Sequence, residues 1–294
     1  MKRILNYRIT EPKEGQTVLS FLKDRGYSRN VIIHLKKTPE GLLKNGAWCY
    51  VSETLAPGDC LCVILDEQEG SKGILPVPLP FPVVYEDEDL LVVNKPAGMP
   101  IHPSVNNHYN TLANAAMYYF SQKGEPFVYR CVNRLDRDTS GLTVLAKNML
   151  AGALLASHSG MKEIQREYMA LVQGKPPKEG IVDAPIARLE NSCIQRCVDY
   201  ERGERAVTRY FRIRYDKDRD LSLIRLRLET GRTHQIRVHM KYAGFPLIGD
   251  FLYNPEYTYI KRQALHSSHL SFAHPITGKF LQFDASLPPD MRII

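Results

Sequence analysis

The stretch Glu69-Gly70-Ser71-Lys72-Gly73, followed by Pro76, Pro78, Pro80 and Pro82, sets the layout of this chain. Proline has no amide to give a ladder, and closely spaced glycines weaken any regular element. Such a segment reads as an extended connector. It divides the 294 residues into a small unit (residues 1–70), a linker (71–82) and a larger unit (83–294). With 44% hydrophobic and 24% charged residues the chain can fill ordinary globular cores.

In the small unit, Thr17 is placed to cap a helix through Val18, Leu19, Phe21 and Leu22 that ends at Gly26. Ser28 is placed to cap a second, through Val31, Ile32, Ile33 and Leu35. Short strands are expected at 42–44, 48–51 and 60–65. The larger unit alternates strands and helices. A hairpin is expected over 83–93, a helix behind Asn110 or Thr111, and strands at 142–146 and 168–172 with a helix at 149–157 between them. Beyond these come a long hairpin over 210–228, a helix opened by Thr233 and ended by Gly244, and a last hairpin over 265–283. The fold class is therefore α+β: a mixed, mainly antiparallel sheet with helices at its margins, plus a small α+β unit.

Lys and Arg number 39 against 32 Asp and Glu, a net charge of +7. That excess suits a nucleic-acid partner without requiring one. The N-terminus shows no secretory signal, and no apolar run approaches the roughly 20 residues needed to span a bilayer. A cytoplasmic protein with no membrane partner is expected. The six cysteines form no C-x-x-C pair, so they read as reduced thiols. Cys193 and Cys197 lack a partner pair at ligand spacing, and no metal is expected.

Three segments carry chemistry. Asn133-Arg134-Leu135-Asp136-Arg137-Asp138-Thr139-Ser140-Gly141 sets a carboxylate between two arginines at the mouth of an apolar strand. That arrangement suits one ionised aspartate beside groups that bind a polyanion; a solvated, capped turn is the plainer alternative. Gly231-Arg232-Thr233-His234-Gln235-Ile236-Arg237-Val238-His239 supplies two more arginines, and arginine is seldom buried unpaired. Asp136 is a candidate partner. His234 and His239, five apart, lie on different faces of a helix, so structural hydrogen bonding is expected of both. In Arg166-Glu167-Tyr168-Met169-Ala170-Leu171-Val172, Tyr168 is either a core aromatic or a plate for a base, a contact worth about 1–3 kcal/mol.

Together with Asn94-Lys95-Pro96-Ala97-Gly98 and Leu265-His266-Ser267-Ser268-His269-Leu270, these segments resemble the ordered motifs of the RluA family of pseudouridine synthases. The likeness spans nearly all of 80–290, with Asn133 where the family usually has histidine. The small unit resembles a degenerate αL RNA-binding module through Ser28-Arg29, Lys44-Asn45-Gly46 and Gly58-Asp59. The resemblance implies a pseudouridine synthase fold and isomerisation of uridine in RNA without cofactor or metal. It implies Asp136 as the catalytic aspartate, acting as nucleophile or base. A neighbouring arginine would hold it ionised against desolvation, and Arg237 matches that arginine. Tyr168 matches the tyrosine against the target base, and Arg134 the arginine that fills the gap left by a flipped-out uridine. Leu265 belongs to the apolar floor, and Lys95 and Arg232 are phosphate or structural partners. The two-unit layout is similar to members acting on large-subunit ribosomal RNA, although others modify transfer RNA; monomer is the default state. Two other readings compete. A hydrolase using Asp136 with Asp138 would want two carboxylates across the scissile bond. A non-catalytic RNA-binding protein would have no use for Asp136.

Overall fold

The computed structural model describes residues 1–157 and 163–294. The small unit is built from β1 (Lys2–Arg8), α1 (Val18–Asp24), α2 (Arg29–Lys37), β2 (Leu42–Lys44), β3 (Ala47–Trp48) and β4 (Cys60–Asp66). Thr17 and Ser28 cap the two helices as expected, Thr17 in a reciprocal capping box with Ser20. The strands order β1-β4-β2-β3. β1 was not foreseen, because its inward face is Arg3, Leu5 and Tyr7 and reads as a charge interruption. Arg3 can point inward because Asp89 receives it through two hydrogen bonds, at 2.9 and 3.1 Å. The strand expected over 48–51 stops at Trp48, where the chain turns and the Tyr50 carbonyl accepts the Glu53 amide.

The larger unit runs β5 (Val83–Glu86), β6 (Leu90–Lys95), α3 (Leu112–Ser121), β7 (Ser140–Ala146), α4 (Met149–Ala156), β8 (Gln165–Gln173), β9 (Glu179–Asp183), β10 (Ile186–Arg188), β11 (Arg196–Val198), β12 (Val207–Asp216), β13 (Leu221–Leu228), α5 (Gln235–Tyr242), β14 (Leu265–Ala273) and β15 (Phe280–Asp284). Strands β9, β10 and β11 escaped the sequence reading. β10 and β11 are three residues each, and the outer strand β9 buries only Val182. Helix α5 begins one turn position later than expected, with His234 as its cap in the left-handed region (φ 58°) in place of Thr233.

Among the described residues nine strands make one sheet, ordered β5-β6-β7-β14-β8-β13-β12-β9, with β15 on the flank of β14. Every pairing is antiparallel except β7 with β14. That parallel contact is confined to Ser140 and Gly141 against His266 and Ser267, and beyond it β14 turns to β15. Gly141 makes it possible. Its φ is +110°, and a Cβ there would strike the backbone of Ser267. The segment leading to β7 is thereby held hard against the sheet's centre, which is where Asp136 stands.

The linker carries no helix or strand, as its prolines demand, yet it is laid along the larger unit. Asn114 Nδ2 donates to the Leu75 carbonyl at 2.8 Å, the Val77 amide donates to Asn114 O, and Ile74, Leu79 and Phe81 pack on the core. The small unit is docked as well. Leu150 of α4 joins its core, flanked by Met149, Ala153 and Leu154, while Glu67 takes both Arg130 and the Met149 amide. Among the described residues no helix is long and apolar enough to cross a membrane.

Candidate active site

The loop before β7 is clamped from three sides. Asn133 is buried, with Nδ2 donating to the Leu142 carbonyl at 3.1 Å and Oδ1 accepting the Val144 amide at 2.8 Å. Its side chain thus supplies β7 with the donor and acceptor that a neighbouring strand would. A neutral imidazole also carries one donor and one acceptor, so the departure from histidine keeps this function available. From β6, Lys95 Nζ donates to the carbonyls of Pro96, Met99 and Arg137 at 2.8–3.0 Å. Burial pulls its pKa down to about 7, with Asp138 and Asp136 opposing. From the far side, Arg262 donates to the Asp138 carbonyl and Gln263 to Thr139 Oγ1. Within the loop the Asp136 carbonyl accepts the Thr139 amide at 3.1 Å. The backbone of Asp136 is fixed, and its carboxylate stays about a quarter exposed (27%).

What faces that carboxylate is a single buried cation. Arg237, on the inner face of α5, donates from Nη1 to Asp136 Oδ2 at 2.9 Å. Its Nε and Nη2 grip both oxygens of Asp250, at 2.6 and 2.8 Å. Arg237 is 2% exposed and Asp250 wholly buried, and the guanidinium lies 5.0 and 5.4 Å from the ring centres of Tyr253 and Phe251. Burial opposes the charge, but the hydrogen bonds donated to Asp250 and the field of both carboxylates more than offset it, holding the guanidinium above its ordinary range. Asp250 is itself fixed by the amides of Leu252 and Tyr253. Such a two-sided grip orients Nη1 before any substrate arrives.

His234 lies beside this pair. The Tyr253 hydroxyl accepts the Arg196 amide and shares a hydrogen bond of 3.0 Å with His234 Nδ1, while His234 Nε2 lies 3.9 Å from Asp136 Oδ2. Burial lowers the pKa of His234, so the ring is neutral at pH 7. Gln235 ties the preceding loop down, accepting from Thr230 Oγ1 and the Arg232 amide and donating to the Val207 carbonyl. His239 is wholly buried between Thr208 Oγ1 and the Ala184 carbonyl, each at 2.9 Å. Both histidines therefore serve as hydrogen-bonded structure.

These elements enclose a cavity of about 210 Å³. Leu135, Tyr168, Leu228, Ile236 and Leu265 give it apolar walls, and among the described residues Asp136 is the one carboxylate lining it. Arg134, Tyr168, Arg232, Arg237 and Leu265 all reach it, as the sequence suggested. Arg134 is exposed at its rim and forms no hydrogen bond or ion pair among the described residues. Arg232 is anchored to Glu204 and to the Arg205 carbonyl. Of the two roles expected for Lys95, phosphate or structural partner, its surroundings match the structural one: it is fully buried and donates to three carbonyls that hold the loop.

Asp250 and Arg166 were missed. Asp250 gave no signal beyond a carboxylate 13 residues past Arg237, and Arg166 was noted only within its motif. A cluster of Asp87, Asp89 and His274 has metal-ligand reach, but its oxygens already accept from Tyr85, Arg3, Asn148 and the amides of Asp89 and Leu90. Cys193 and Cys197 are free thiols.

Comparison with known proteins agrees with this chemistry. A family model described as RNA pseudouridylate synthase matches residues 89–242. The chain is 40% identical over 276 residues to an uncharacterized RNA pseudouridine synthase, YjbO, of Bacillus subtilis (strain 168), covering 94% of this chain and 96% of that protein. It is 47% identical over 233 residues to ribosomal large subunit pseudouridine synthase D of Zymomonas mobilis, covering 74% and 73%. Among solved structures, human RNA pseudouridylate synthase domain containing 1 superposes with a TM-score of 0.59 at 24% identity, over 72% of this chain and 86% of that one, a likeness of fold.

Proposed function

The chain belongs to the RNA pseudouridylate synthase family, in its RluA branch, and from that premise we propose that it isomerises specific uridines of large-subunit ribosomal RNA with Asp136 as the catalytic group. The observation that carries this reading is the Asp136 carboxylate at the cavity, 2.9 Å from a guanidinium that Asp250 holds rigid. The reaction breaks the bond between uracil N1 and ribose C1′, turns the ring, joins C5 to C1′ and releases the C5 proton, while N1 regains one. No redox change and no water are consumed, so the chemistry asks for no cofactor.

A uridine in a helix or stack must first be extruded, at a cost of a few kcal/mol. Arg134, exposed at the rim and without a partner among the described residues, is suited to stack in the vacated place. Tyr168 and Leu265 offer flat and apolar walls to the uracil, and Tyr168 is fixed by its strand, opposite Leu226 on β13 and Ser267 on β14. Asp136 then acts at C1′ as nucleophile or base. Arg237 keeps it aimed, which pre-organises the attack without moving during it.

The ribosomal substrate follows from relatives named ribosomal large subunit pseudouridine synthase D, one of them 47% identical. A cytoplasmic location fits such a substrate, with a monomer as the working state. Residues 1–70 form an RNA-binding module, 71–82 its connector and 83–294 the catalytic unit. Pseudouridine mapping by carbodiimide adduct and primer extension, in cells with and without this chain, tests the proposal. Loss of one or more large-subunit sites is expected. A loss confined to transfer RNA overturns the substrate, and no change anywhere overturns the activity in that cell.

A further inference from the structure

We propose that the Arg166 guanidinium seats a phosphate of the RNA strand beside the target uridine, an inference that rests on the synthase reading of the Asp136 cavity. Arg166 precedes Tyr168 by two positions on β8, so both side chains leave the strand on one face, about 6–7 Å apart. Both line the cavity. With uracil against Tyr168, the sugar-phosphate chain is the part of the nucleotide that comes within reach of the next position.

The surroundings of Arg166 suit an anion. Its Nε is buried without a hydrogen-bond partner, and it makes no ion pair among the described residues. The nearest acid in sequence, Glu167, faces the other way and is taken by Arg225 and Arg227 of β13. Asp136 is engaged by Arg237. Gly231 makes the space. A Cβ there would stand 3.3 Å from Arg166 Nη1 and 3.9 Å from Cζ and Nη2, so the guanidinium lies flat against a position that carries no side chain. A buried guanidinium nitrogen without an acceptor carries an uncompensated desolvation cost, and one beside a glycine at the mouth of an RNA cavity fits a phosphate, which it can bind through two parallel N–H donors.

The test uses the full-length chain, its R166Q and R166K variants, and a fluorescein-labelled RNA oligonucleotide carrying a mapped site. Two further oligonucleotides replace the linkage on the 5′ or the 3′ side of the target uridine with uncharged methylphosphonate. R166Q is expected to weaken binding of the unmodified RNA about tenfold and to flatten the dependence of log K on log salt by about 0.7–1. KM should rise while kcat is kept, and R166K should retain the salt slope. One methylphosphonate should weaken binding to the wild type and cost R166Q nothing more. Losses that simply add in R166Q for both linkages, or a wild-type salt slope, overturn the inference. Failure of the wild type to form pseudouridine in the unmodified oligonucleotide strikes the synthase reading instead, and is read from the same samples.

Discussion

At the scale of single residues, the proposed chemistry depends on a charge triad that runs Asp136, Arg237, Asp250. Asp136 and Arg237 both line the cavity, and Asp250 lies wholly buried behind them. Removing the charge of the last should therefore be felt at the first. Asp250→Asn leaves an amide facing one of Arg237's donors and breaks a buried pair, a change that costs about 3–5 kcal/mol of stability. Freed from its clamp, Nη1 drifts, and a displacement of about 1 Å is enough for a 10²-fold loss of rate. Denaturant melts together with single-turnover pseudouridine formation should show both effects. A variant with unchanged rate would show that Asp250 plays no part in aiming Asp136.

The buried histidines set a pH dependence. Burial lowers the pKa of His234, His239 and His266 below the ordinary 6.5. On acidification the unfolded chain takes up these protons first, so the stability present above pH 6.5 is lost as the pH falls through the folded-state values. The melting temperature should drop between pH 7 and pH 5. The drop should be smaller in His239→Gln, whose amide can still bridge Thr208 and Ala184. An equal or steeper drop would show that His239 is not one of the groups responsible.

At this scale the sequence was most legible where chemistry is written locally. Arg237 announced a cation in need of a partner, and the run 133–141 offered Asp136, which is the carboxylate it meets. Burial was not legible. Whether Lys95 meets phosphate or carbonyls depends on how β6 packs against a loop 42 residues away. Asp250 owes its role to a turn that the linear pattern does not mark.

At the scale of elements, the short parallel contact between β7 and β14 is what aims the catalytic loop. Gly141 is its keystone, since both its positive φ and the backbone of Ser267 exclude a side chain. Gly141→Ala should cost about 3 kcal/mol or more, read as a shift in denaturant midpoint. A neutral result would mean that the strands can part without harm. Capped helices and apolar strands of five or more residues were readable because their signals are local: Thr17, Ser28 and Thr111 all accept the expected amide. The elements that were not readable have no such signal. β1 turns an arginine inward because a distant aspartate is waiting, and β10 and β11 exist by pairing with each other.

At the scale of the whole molecule, the small unit sits on the larger one through a shared apolar contact at α4 and through the Arg3–Asp89 and Glu67–Arg130 pairs. The proline-rich strap is pinned along the larger unit, by Asn114 at the Leu75 carbonyl and by the Tyr129 amide at Ser71 Oγ. Limited proteolysis should cut 69–82 slowly in the native chain and faster once Arg3→Ala and Glu67→Ala are combined. Rapid cutting of the unmodified chain would show a tethered module instead of a docked one.

All of this architecture converges on one carboxylate, and Asp136→Asn addresses it directly. The substitution keeps size and hydrogen bonding but removes the charge that Arg237 holds. Release of tritium from RNA bearing [5-³H]uridine at a mapped site reports the loss of the C5 proton. The variant should fall by on the order of 10⁴-fold or more while binding the same RNA as the wild type does. Tritium release within tenfold of wild type, with binding intact, would contradict the assignment of Asp136 as the catalytic group.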